Sequence, residues 1–208
     1  MRKNTPTLLP DSIYQVYNRG INSEILFKEP RNYTRFLQKL ALYILPVAEL
    51  YAYCLMESHF HLCIRTHCEE LIRSNFQLDR IPPANVEHSC SWYISNRFAS
   101  FFKSYAQSIN KAFNRTGGLF EEPFRRLEVT DETDLCWLIC YVHSNPKLHG
   151  LLEDFPLYPY SSYSSLLDTG STVLNRDFVL SAFGGRQGFE TFHRQQIPID
   201  VLRLISLD

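Results

Sequence analysis

The sequence predicts an α+β fold in which helices pack on one face of an antiparallel sheet. Three observations predict it. Strand-like alternation and helix-like periodicity follow one another in the order βαββαβα along the first 150 residues. Hydrophobic residues make up 45% of 208, enough for one good core. No apolar run approaches the roughly 20 residues needed to span a bilayer.

The elements follow in order. Ser12 to Arg19 alternates like a strand through Ile13 and the tyrosines. Arg31 to Leu45 places Phe36, Leu37, Leu40, Leu42 and Ile44 at helical spacing, and Pro46 ends the helix. Glu49 to Leu55 and His59 to Thr66 read as a hairpin or one bent ribbon. An insertion is expected between Thr66 and Trp92, where Ile81-Pro-Pro83 interrupts any regular element. Trp92 to Asn114 is a long helix closed by Thr116-Gly-Gly118, and Leu119 to Val129 is a strand. Thr130 or Asp131 caps the next helix, whose apolar stripe is Leu135, Leu138, Ile139 and Val142 and which Pro146 limits. This order fits a ferredoxin-like sandwich. Beyond it, Arg176 to Phe183 and Phe189 to Arg194 read as short helices. The expected division is a domain over 1–165 and a C-terminal extension over 166–208.

Composition narrows the function. The net charge of −1 counts against indiscriminate nucleic-acid binding. From Arg97 to Arg126, however, six bases face two acids, and Phe98, Phe101, Phe102, Tyr105, Phe113, Phe120 and Phe124 interleave them. Such a mixture suits single-stranded nucleic acid, although most of the rings are expected in the core. The six cysteines have no paired-ligand spacing, and no apolar signal core follows the N-terminus. Reduced thiols in a cytoplasm are the expectation, with Cys136 and Cys140 as packing residues.

Two places carry candidate chemistry. His59 and His61 flank Phe60 on a strand, so both imidazoles project to one face and Phe60 to the other. That spacing suits two corners of a divalent-metal site, or an ordinary hydrogen-bonded pair. Tyr141 and Asn145 lie four apart on a helix and share a face. They suit a nucleophile beside an amide ligand, or a packed ring beside a helix cap.

Five blocks in order resemble the REP-associated tyrosine transposases, a branch of the single-tyrosine transposases with the histidine-hydrophobic-histidine motif. They are Tyr14-Gln-Val-Tyr-Asn-Arg-Gly20; Tyr53-Cys-Leu-Met-Glu-Ser-His-Phe-His61; Phe113-Asn-Arg-Thr-Gly-Gly-Leu-Phe120 with Phe124-Arg-Arg126; Tyr141-Val-His-Ser-Asn-Pro-Lys-Leu-His-Gly150; and Tyr158-Pro-Tyr-Ser-Ser-Tyr163. Two departures stand out. Glu57-Ser58 replaces the common Pro-Asn before the first metal histidine. Glu122-Pro123 replaces a Gly-Arg, which removes a cation there.

The resemblance implies a ferredoxin-like core and metal-assisted transesterification of single-stranded or hairpin DNA. By it, His59, His61 and Asn145 hold Mg²⁺ or Mn²⁺, and Tyr141 forms a 5′-phosphotyrosine. Arg115, Arg125 and Arg126, with Arg19 and Lys111, are the expected DNA contacts. Monomer and homodimer both stay open. The alternatives are a non-cleaving DNA- or RNA-hairpin-binding protein and a metal-dependent hydrolase with no covalent step.

Overall fold

A computed structural model describes residues 6–77 and 89–205. The Ile81-Pro-Pro83 insertion lies outside them. Strands β1 (Ile13–Arg19), β2 (Ala48–Met56), β3 (His59–Thr66) and β4 (Arg125–Val129) form one antiparallel sheet in the order β2-β3-β1-β4. This is the ferredoxin-like order. Glu57-Ser58 makes the tight turn between β2 and β3. β4 begins six residues later than the alternation suggests. Pro123 cannot donate to a ladder, and upstream of it only Phe120 pairs, opposite Gly20.

Helices α1 (Pro30–Tyr43) and α3 (Ser89–Ala112) cover one face of the sheet. α1 opens with Pro30 at its first turn and a reciprocal cap between Glu29 and Asn32. Phe36 of α1 lies 4.9 Å from Phe60 of β3, ring to ring, and Phe102 of α3 lies 5.9 Å from it. A short helix α2 (Glu69–Phe76), without a clear periodic signal in the sequence, precedes α3.

The expected single helical face holds for α1 and α3. Helix α4 (Glu132–Leu148) lies across the opposite face, against β2 and β3. The sheet is therefore covered on both sides, which is why β2 and β3 are buried almost without alternation. α4 also runs two residues past Pro146.

The C-terminal residues finish the structure. Tyr160 to Ser162 run along the free edge of β2, with Leu55 N–H donating to Tyr160 O (3.0 Å) and Ser162 N–H to Tyr53 O (2.9 Å). An edge strand is thereby capped. Helices α5 (Tyr163–Leu167), α6 (Arg176–Ala182), α7 (Arg186–His193) and α8 (Ile199–Ile205) follow. α7 packs on α4, with the rings of Phe192 and Trp137 4.4 Å apart. Among the described residues no helix is long and apolar enough to cross a membrane.

Candidate active site

Alternation along β3 does the first work. Phe60 enters the core under α1 and α3, and His59 and His61 emerge on the α4 side with their rings 5.4 Å apart. His61 is 1% exposed. On β1, Gln15 and Tyr17 share that face. The Tyr17 ring stacks on His61 at 5.5 Å, and Gln15 Nε2 lies 3.3 Å from His61 Nδ1. His59 is half-buried, with Ser58 Oγ 3.2 Å from its Nδ1. Burial, with smaller contributions from His59 and His149, holds His61 well below the usual histidine range. Its ring is therefore neutral near pH 7, the form that binds metals.

Helix α4 supplies the opposing wall. Asp131 caps it, accepting from the N–H groups of Thr133 (2.7 Å) and Asp134 (3.4 Å). Tyr141, Asn145 and His149 succeed one another at intervals of four, on one stripe. The two ends of that stripe touch the two histidines. Tyr141 stands edge-on to His61 at 5.6 Å, and the His149 ring is 4.7 Å from His59. Asn145 lies between these contacts along the stripe.

Pro146 decides which way Asn145 points. Proline has no N–H, so the carbonyl of Val142 loses its helical donor. Asn145 Nδ2 approaches that carbonyl (3.5 Å) and donates to Tyr141 O (2.7 Å). With the amide nitrogen committed to the backbone, Oδ1 is left buried with no hydrogen-bond partner. His61 Nε2 and Gln15 Oε1 are in the same condition. Each such atom costs about 1–3 kcal/mol, and native interiors hold few of them. Among the described residues, no group of three His, Cys, Asp or Glu side chains is arranged to hold a metal. His59, His61 and Asn145 could hold one only with an amide as third donor.

The expected basic contacts separate. Arg19 faces His59 across the β1–β3 ladder, and Arg125 faces Tyr17 across β1–β4, so both lie on the histidine side. Glu121 ties them together, 2.7 Å from Arg19 Nε and 3.8 Å from Arg125 Nη2. Arg125 also donates to Tyr17 Oη at 2.5 Å. Their side chains remain about half exposed, 53% and 47%. Arg126 is the next residue on a strand and therefore points the other way. It donates to Pro6 O and lies over the Phe124 ring at 4.8 Å, and burial lowers its pKa. Arg115 is spent on local structure: it donates to Asn110 Oδ1 (2.6 Å) and Gly118 O (3.2 Å) and lies 3.5 Å from Glu24. Lys111 is exposed on the last turn of α3.

Sequence reasoning missed Gln15 and Tyr17 as members of this cluster. The available signal was a glutamine inside a strand of apolar and aromatic residues. Tyr105, on α3, is fully buried and donates to Leu26 O at 2.9 Å, which gives it a structural duty. Five of the seven rings between Phe98 and Phe124 are buried, as expected of core residues. The cysteines are free thiols, with Cys136 and Cys140 buried.

No family model matches the chain. No curated protein matches it either. A solved structure of a REP-associated tyrosine transposase bound to a REP hairpin superposes with a TM-score of 0.59 at 12% identity, covering 84% of this chain and 94% of that one. The chain has the α+β fold of that REP-associated tyrosine transposase.

Proposed function

We propose that the chain is a single-stranded DNA transposase or endonuclease that acts on hairpin or repeat DNA through a covalent 5′-phosphotyrosine at Tyr141. One observation carries the reading. Buried polar ends of His61 and Asn145 lack partners beside a tyrosine, on a fold shared with a hairpin-bound tyrosine transposase. A donor set of two imidazole nitrogens and an amide oxygen fits Mn²⁺ at least as well as Mg²⁺. Lewis-acid polarisation of the scissile phosphate is the chemistry that such an ion, held by His59, His61 and Asn145, supplies when bound.

The chain's own residues do the rest. Tyr141 Oη bonds to phosphorus as the P–O3′ bond breaks. The phenol gives up its proton, and the departing oxygen takes one up as a 3′-hydroxyl. The phosphotyrosine conserves the bond, so a second 3′-hydroxyl can reverse the step and join strands without a nucleotide cofactor. Arg19 and Arg125, braced by Glu121 on the same sheet face as His59 and His61, are the guanidinium groups assigned to the phosphate oxygens. His143 faces Ser162 and His193, away from any proton on Tyr141, and is not the base.

The test is an SDS-stable adduct between the full chain and a labelled single-stranded hairpin from its own genomic flank, in Mn²⁺. Tyr141→Phe should remove the adduct and leave hairpin binding nearly unchanged. Hairpin binding without an adduct in the wild type would favour the non-cleaving alternative. Cleavage without an adduct would favour a hydrolase.

A further inference from the structure

Gln15 is a polar residue with no duty in the mechanism above, yet it is fully buried on β1. It touches a candidate metal ligand directly, through its amide nitrogen 3.3 Å from His61 Nδ1. Its oxygen is buried with no donor. A neutral imidazole carries one proton. An amide N–H donated to Nδ1 requires the ring proton to sit on Nε2, which is itself buried without a partner. That arrangement leaves two polar ends unsatisfied, and it protonates the nitrogen that would bind a cation. A half-turn of the carboxamide about its last torsion exchanges oxygen and nitrogen with almost no change in shape. Oε1 then accepts from Nδ1–H, and Nε2 presents a bare lone pair. Metal-ligating histidines are commonly oriented in this way by an acceptor on the far ring nitrogen.

We infer that Gln15 is a positioning residue: its Oε1 accepts from His61 Nδ1–H, fixes that tautomer, and thereby sets the affinity of His61 for a divalent cation. The inference rests on the metal reading of the site, but its first test does not.

Nitrogen-15 NMR of the metal-free full chain reads the His61 tautomer. The wild type should show the Nδ1–H form, and Gln15→Leu should shift it toward Nε2–H. Gln15→Glu separates acceptor from donor, because a carboxylate accepts and cannot donate, and it should restore the Nδ1–H form. Mn²⁺ titration by electron paramagnetic resonance is the second readout. Gln15→Leu should weaken binding roughly 10- to 100-fold, and Gln15→Glu should bind at least as well as wild type. Circular dichroism checks that each variant is folded. An Nε2–H ring in the wild type, or Mn²⁺ binding untouched by Gln15→Leu, overturns the inference. A wild type that shows the Nδ1–H form, lost in Gln15→Leu, but binds no Mn²⁺ upholds the tautomer assignment and defeats the metal reading.

Discussion

Two histidine pairs, His143 with His193 and His59 with His61, differ in what folding does for them. His143 on α4 and His193 on α7 belong to a closed chain of hydrogen bonds. Tyr53 N–H donates to Ser162 Oγ (2.8 Å), and Ser162 Oγ–H donates to His143 Nε2 (2.8 Å). His143 Nδ1–H donates to His193 Nε2 (2.9 Å), and His193 Nδ1–H donates to Phe189 O (2.8 Å). Because Phe189 O can only accept, every proton position follows. Both rings are neutral and all four ring nitrogens are partnered, which ties β2, α4 and α7 together. Around His61 the accounting does not close: its Nε2, Gln15 Oε1 and Asn145 Oδ1 are buried without partners. The contrast teaches that one pair is complete as folded, whereas the other keeps the buried polar ends that the proposed cation would satisfy.

Mutations should separate the two pairs. The largest effect is expected from His61→Ala, with loss of Mn²⁺ binding and of the DNA adduct, and a stability cost smaller than that of His143→Ala because an unpartnered polar end leaves with the ring. His143→Ala should instead leave Ser162 and His193 without partners and open a cavity, costing about 2–4 kcal/mol in urea denaturation. Its Mn²⁺ affinity should stay within a few-fold. A folded His143→Ala chain that binds no Mn²⁺ would break the division.

Acid sharpens it next. Burial holds His193 at about 4, against the hydrogen bond to Phe189 O that favours its charged form, and it holds His143 well below its ordinary value, with a smaller contribution from His193. Their folded pKa values lie below the unfolded value of about 6.5, so the unfolded chain binds more protons in between. The stability from the neutral rings is full above pH ~6.5 and is lost as pH falls toward 4, at up to about 1.4 kcal/mol per pH unit for each ring. Urea midpoints at pH 7 and 5.5 should show this slope, and it should shrink in a folded His143 variant.

The smallest effect distinguishes adjacent arginines. Arg125→Ala should lower the log–log salt slope of hairpin binding by roughly 0.7 per lost single-strand contact. Arg126→Ala should leave that slope unchanged and cost about 1 kcal/mol of stability through its lost bond to Pro6. Equal slopes for both variants would remove the assignment of faces.

The order of elements was legible because alternation and helical period are local signals. The four strands and the helices α1, α3, α4, α6 and α7 all answer to them. Helix α4's position across the second face was not, since an apolar stripe does not say which side of a sheet it will meet. The histidine spacing and the Tyr141–Asn145 interval were readable for the same reason: both are short periods within one element. Gln15 was not, because its contact with His61 crosses between strands 46 residues apart in the chain. Arg126 looked equivalent to Arg125 by charge, and only the strand's alternation separates them.

The central claim is that His59, His61 and Asn145 hold a divalent cation beside Tyr141. Anomalous diffraction from a crystal of the full chain soaked in Mn²⁺ tests it most directly. The expected result is a single strong peak within roughly 2.5 Å of donor atoms from all three residues. No peak at the site, or a peak bound elsewhere while both imidazoles and the Asn145 oxygen stay unligated, would contradict it.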